Sequence, residues 1–180
     1  VYTTQSSSAN HIFSGDRGGS RYYLVMVPPG VGAGDRGVYP SGRYNPGFGD
    51  ELTTFQFNAF LKASGLEIFG TFESANGRAN TEDPDNDFRN MTQFAADVLY
   101  RIGAQENFYI GGRYNTVTAD DPSGTEIGID RLQLGAGWFV TNNILFKLEY
   151  VNQNYKDFPT DDIRAEGNFN GVMVEAVVGF

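Results

Sequence analysis

From Glu51 to the C-terminus, apolar and polar residues alternate in seven segments: 51–63, 66–76, 89–102, 106–118, 126–140, 144–153 and 168–180. Period two is a strand signal, because successive side chains of a strand point to opposite faces. The segments run 10–15 residues, against about 5–6 for an ordinary globular strand. All seven prolines lie outside them, as expected of a residue that cannot donate to a ladder. The connections also alternate. Ser64-Gly65, Gly103–Gln105 and Thr141–Asn143 are short, whereas 77–88, 119–125 and 154–167 are long. Long strands with short and long connections in turn predict an all-β fold. The expected form is a transmembrane up-and-down antiparallel β-barrel with short periplasmic turns and long outer loops.

The two faces differ in chemistry. One parity carries Phe94, Ala96, Val98, Tyr100 and Ile102, then Leu132, Leu134, Ala136, Trp138 and Val140, then Ile144, Phe146, Leu148 and Tyr150. These are expected to face lipid. The other parity carries the candidate pore lining: Lys62, Glu67, Glu73, Asp97, Arg101, Arg113, Arg131, Lys147, Glu149 and Glu175. Five of each sign suit a lining that acts on permeating solutes, or a ladder of cross-strand ion pairs that fills a narrow lumen. Arg101, Arg113 and Arg131 fall on successive strands, a short basic ladder attractive to anions. Tyr100, Phe108, Trp138 and Phe180 near the short turns, and Tyr114 and Tyr150 nearer the loops, are expected to form lipid girdles with Phe55 and Phe57. Phe60 and Phe69 break the pattern by falling inward, and Leu99, Phe139 and Leu145 are further exceptions. Asp130 falls on the lipid parity and must lie near the outer rim. A soluble β-sandwich also alternates, and is the competing fold.

Residues 1–50 are different. Residues 3–50 hold 10 of the 23 glycines and 4 of the 7 prolines, and are expected to be one long extracellular or lumen-folded loop. Only Arg21–Val27 has strand character. Seven strands is an odd number, while bacterial single-chain barrels are even from 8 upward, and an open edge has no partners in lipid. The chain is therefore expected to be the C-terminal portion of a larger even-numbered barrel, with Val1–Tyr2 the tail of an upstream strand. Alternatively Arg21–Val27 supplies an eighth strand, although seven residues fall short of the ~9–11 that span a bilayer. Val1 is not an initiator methionine, and an intact mass near 19.8 kDa for the isolated protein would contradict a longer chain.

Composition narrows the chemistry. The net charge of −9 without a basic block argues against nucleic acid as partner. Regions 77–88, 119–126 and 154–167 carry −3, −3 and −2 of it, which makes the acidity a property of the outer loops. No cysteine and one histidine exclude thiol chemistry and histidine metal clusters. No cofactor is expected. His11 with Ser14 and Asp16 lies in a loop-like stretch and does not make a triad, so an enzyme is not expected. Glu82, Asp83, Asp85 and Asp87 alternate as calcium ligands do, but Phe88 stands where an EF-hand needs glycine, and a solvated acidic loop is the simpler reading. Gly30–Gly37 lacks the strand-to-helix setting of a phosphate loop. Tyr22, Tyr23, Tyr39 and Tyr44 stud the long loop and suit an inward-folded constriction or a protein-contact surface.

The segment LQLGAGWFVTNNILFKLEYVNQNY followed by FNGVMVEAVVGF resembles the C-terminal end of bacterial porin-like barrels, in particular the phosphate-selective-porin-like and Bacteroidota porin-like groups. The matching residues are Gly135, Trp138, Asn142, Asn143, Glu149, Tyr150 and Val151. A last strand ending in an aromatic, here Phe180, resembles the assembly signal of such barrels, which implies the barrel-assembly machinery as a partner. The resemblance implies the bacterial outer membrane as the location, with its lipid and lipopolysaccharide as surroundings and a homo-oligomer or other outer-membrane proteins as partners. It implies a porin-like channel for passive passage of small hydrophilic solutes. The alternative is a non-catalytic accessory barrel in an outer-membrane assembly.

Overall fold

The computed structural model describes residues 2–3, 24–26, 39–40, 44–83, 85 and 87–179. Among them there is no helix. The strands are β1 (Tyr2–Thr3), β2 (Leu24–Met26), β3 (Tyr39–Pro40), β4 (Asp50–Ala63), β5 (Leu66–Arg78), β6 (Arg89–Ile102), β7 (Phe108–Asp120), β8 (Glu126–Thr141), β9 (Ile144–Lys156) and β10 (Asn168–Val178). The seven long strands pair in chain order as one antiparallel sheet, and β1 adds two residues beside the start of β4. β4 and β10 are not paired with each other, so the sheet is not closed among the described residues.

Each long strand coincides with an alternating segment, with ends shifted by two or three residues at most. The loop-side ends of β5, β7 and β9 reach beyond the segments read from sequence, because their last residues still find ladder partners across the sheet. β10 ends at Val178, and Phe180 lies outside the described residues. Among the described residues, Arg21–Val27 does not supply an eighth strand of this sheet. Its described part, β2, pairs with β3 in a separate two-stranded ladder. Ser64 and Gly65 both have positive φ, 48° and 82°, as a two-residue hairpin turn between twisted strands requires.

The outer parity carries a continuous exposed apolar belt with a sharp upper boundary. Toward the loop end, its last members are Phe55, Phe72, Phe94, Tyr114, Leu132, Tyr150 and Val172 on β4 to β10 in turn. The next residue on the same face of each strand is polar: Thr53, Ser74, Thr92, Thr116, Asp130, Asn152 and Asn170. This boundary is not parallel to the hydrogen bonds. The register runs Phe57, Phe72, Phe94, Thr116, Asp130, Asn154, Asn168 straight across the sheet. Against that row, the boundary drops six residues between β4 and β10. Six residues at ~3.3 Å, across six strand spacings of ~4.8 Å, give an inclination of about 35°.

The inner parity inverts the pattern. Where the outer face turns polar, Ala75, Met91, Val117, Ala119, Ile127, Ile129 and Tyr155 are buried inside, packed with Phe48, Leu52 and Phe158. Leu52 is fully buried. Residues 44–52 lead into β4 across this inner face, and the loop between β9 and β10 brings Phe158 to it. Met26, Tyr44 and Phe169 pack against the cluster.

Arg89, buried at the start of β6, ties this cap together. It pairs with Glu82 at 2.7 Å, donates to the carbonyls of Pro46 at 2.8 Å and Asp120 at 3.1 Å, and stacks over Phe48 at 4.9 Å.

Candidate functional site

The charges expected in the lumen share the inner face below this apolar cap. Antiparallel register sets Lys62 opposite Glu67, Asp97 opposite Arg113, and Lys147 opposite Glu175, so neighbouring strands present opposite signs side by side. Lys62 lies 2.9 Å from Glu67, and Arg101 reaches the same carboxylate at 2.8 Å. Glu106, beside the short turn, is 3.7 Å from Arg101. Arg113 and Asp97 are also 3.7 Å apart. Lys147 bridges Glu149 at 3.3 Å and Glu175 at 3.2 Å.

Two of the ten stand apart. Arg131 has no carboxylate within ion-pair distance among the described residues, and its Nη1 donates to Gln153 Oε1 at 2.9 Å. Glu73 takes a hydrogen bond from the Thr54 hydroxyl. Around Arg131 the face is lined by amides: Asn115 is its cross-strand neighbour, and Gln93 donates to Asn115 at 2.9 Å. The three arginines proposed as a ladder are thus unlike. Arg101 is committed to Glu67, Arg113 is loosely held and half-exposed, and Arg131 is held by an amide. Along this face, paired charge lies near the turns and a mildly basic amide band lies above it.

Two features of the face escaped the sequence, and a third was visible there only as a break in parity. Gly111 sits opposite Gly135, and Gly137 sits opposite Tyr109. A Cβ on Gly137 would lie 2.0 Å from Tyr109 Cε1, so the Tyr109 ring lies flat on the bare Gly137 backbone. Phe60 and Phe69, two of the five parity exceptions, are direct cross-strand partners on the inner side of the β4 edge. The largest omission is the apolar cap. Its signal was present in Val117 and Ala119, and in Ile127 and Ile129, which put apolar residues on the inward parity near the loops.

The residues expected in the girdles, Phe180 aside, lie on the outer face. Phe108 and Trp138 stack with centroids 5.7 Å apart and planes 11° from parallel. Tyr100 sits on the next strand at the turn side, and Tyr114 and Tyr150 mark the upper boundary. Asp130 stands one step above that boundary, ion-paired with Lys156 and accepting from Thr116 Oγ1 at 2.8 Å.

The four loop acids do not converge. Glu82 is drawn down to Arg89 and also accepts from the Ala79 N–H at 2.9 Å, while Asp83 accepts from the Asp85 N–H at 3.0 Å. Among the described residues no three acidic or histidine side chains are placed to hold a metal ion. His11, Ser14, Asp16, Tyr22, Tyr23 and Gly30–Gly37 lie outside the described residues.

No family model matches this chain, and neither a curated protein nor a solved structure matches it.

Proposed function

We propose that this chain forms part of the wall of a porin-like outer-membrane β-barrel, through which small hydrophilic solutes pass passively. The inclined apolar belt carries the reading. Strands of membrane barrels tilt by about 35–45° from the barrel axis. If the belt boundary is a membrane surface, the register alone requires a tilt of about 35°. Nothing in a soluble sheet demands that its exposed apolar boundary follow that angle. The belt height agrees. Phe94 to Ile102 on β6 covers eight residue steps, ~26 Å along the strand. After tilt that is about 22 Å, beside the ~25 Å apolar band of such barrels.

An unclosed sheet cannot stand in lipid, because its edge N–H and C=O groups would have no partners. On this proposal the edges of β4 and β10 are paired by further strands of a larger, even-numbered barrel. The antiparallel pairing of β1 with the loop end of β4 supports an upstream strand arriving there. The porin-like resemblance of residues 51–180, clearest toward the C-terminus, supports the same assignment.

A second reading, a closed accessory barrel, is favoured by the apolar cap, which fills the loop end of this wall. Planar-bilayer recording of the full-length protein separates the two. The channel reading expects stable ohmic steps. Silence from protein shown to be folded by its heat-dependent gel mobility would leave the accessory reading.

A further inference from the structure

A cavity of about 200 Å³ lies on the inner face just below the apolar cap, between β8, β9, β10 and Val25 of β2. It is smaller than the ~300–1,000 Å³ of drug-sized ligand sites, so it fits one small solute. Arg131 and Glu149 line it from neighbouring strands, and both are only partly buried. Val25, Val151, Phe169 and Met173 supply apolar surface, and Gly171 leaves bare backbone in the wall. A Cβ on Gly171 would meet nothing nearer than Val151 Cγ1 at 4.0 Å, so the space above this glycine is open.

The cavity has a basic end and an acidic end. Arg131 donates to the Gln153 amide at 2.9 Å and has no carboxylate within ion-pair distance among the described residues. Glu149 shares Lys147 with Glu175, at 3.3 and 3.2 Å, so one cation is divided between two carboxylates. Gln153 faces Arg131 across the ladder, and Glu149 lies four residues further along β9, about 13 Å at ~3.3 Å per residue. Across that span Arg131 and Glu149 are not paired with each other. A guest with a net charge would be attracted by one end and repelled by the other. A guest without charges would desolvate both ends with nothing in return. A zwitterion complements both ends, and the apolar surface between them takes a side group that it carries.

We propose that this cavity binds a small zwitterion with an apolar side group, of the α-amino acid class. Its carboxylate pairs with the Arg131 guanidinium, its ammonium with Glu149, and its side group packs on Val151 and Met173. This names a solute class for the wall, and rests on the porin-like reading only for how the solute arrives.

The test is saturation-transfer NMR on the folded full-length protein in deuterated detergent micelles, with L-leucine, L-methionine and L-phenylalanine as probes. Glycine, isocaproate and isoamylamine are the controls, which lack the side group, the ammonium and the carboxylate in turn. The expected result is transfer to the side-chain protons of at least one of the three amino acids, with weaker binding of every control. Arg131→Gln removes the basic end and should weaken binding about tenfold, the worth of one charge-assisted hydrogen bond. Should that variant fail to fold, Gly171→Val decides. Its methyl groups enter open space, suit a strand, and fill the cavity, so transfer should be abolished in a folded protein. No transfer to any of the three amino acids, equal binding of isocaproate or isoamylamine, or transfer unchanged in Gly171→Val would each overturn the proposal. The bilayer recording keeps the two readings apart. Binding by a protein that passes no current upholds the site and removes the channel, whereas ohmic current without binding removes the site and upholds the channel.

Discussion

Along each long strand, the loop-end third and the remaining two thirds follow opposite rules. Below the boundary the outside is apolar and the inside carries the charges: Phe146 and Leu148 point out while Lys147 and Glu149 point in. Above it the outside is Asn, Thr and Asp, and the inside is a buried cluster around Leu52 and Ile129. A strand keeps its pleat throughout, so the exchange of faces is written wholly in residue choice. The upper zone is ordered as a water-surrounded protein, with its apolar residues inward. On the proposal made above, the lower zone is ordered for a medium that is itself apolar. One sheet would then change solvent along its length, at a line inclined to its own hydrogen bonds.

The largest predicted effect is in the upper zone. Arg89→Ala leaves the partly buried Glu82 without its cation and two carbonyls without their donor, and should cost about 3–5 kcal/mol. The loss should be local. Limited proteolysis should open the 44–52 segment and the loop after β9, while the belt strands stay protected in membranes. Equal exposure of β7 to β9 would show that the zones are one cooperative unit.

The next prediction asks whether the lower zone really has an apolar surrounding. Leu134 is about half exposed on the outer face. If that exposure is to lipid, Leu134→Arg should cost about 2–4 kcal/mol in reversible unfolding from vesicles. Asn152→Arg, one step above the boundary, should cost little. A soluble sheet would tolerate both within about 0.5 kcal/mol, so similar small values would remove the membrane reading.

Gly137→Ala tests the inner face of the lower zone. The added methyl displaces Tyr109 from the backbone it covers, an overpacking expected to cost about 1–3 kcal/mol. Tyr109→Ala combined with Gly137→Ala should recover part of the loss that Gly137→Ala alone causes. Additive losses would show that the contact does not matter.

The strands and their faces were legible because period two is a local property. Every hairpin partner also lies close in sequence, so the order of strands followed from loop lengths. The cap was not legible, because Phe48, Leu52 and Phe158 come from glycine- and proline-rich stretches with no period. Their burial depends on a sheet formed by distant residues. The ten charges share one parity and could be picked out by it, but their individual commitments follow from register. Lys62 and Glu67 meet because a two-residue turn sets them opposite one another, whereas Arg131 meets an amide because Gln153 occupies the facing position. That difference is functional if the wall lines a channel. Arg131→Glu should then move the reversal potential in a salt gradient toward cation preference, more than Arg101→Gln does, since Arg101 is already neutralised. Equal shifts would contradict the distinction.

The smallest expected effect returns to the upper zone and uses pH. Asp162 is held below the usual aspartate range by its two-point bond to Arg164. Asp121 is also held low: burial alone would raise it, but the hydrogen bonds from Ser123 and Thr125 outweigh that. Both groups therefore add stability that is fully present above the ordinary aspartate pKa and is lost as pH falls through their lower folded values. Each is partly exposed, so each is worth less than about 1 kcal/mol after solvent screening. Arg164 also lies 4.3 Å over the Phe158 ring, so protonating Asp162 loosens a group that helps hold the apolar cap. Hydrogen exchange at low pH should show the 157–167 loop opening before the belt strands. Asp162→Asn should bring that opening forward to neutral pH. If the belt strands open first, the cap is not the acid-sensitive zone, and the two halves of each strand respond to acid in the reverse order.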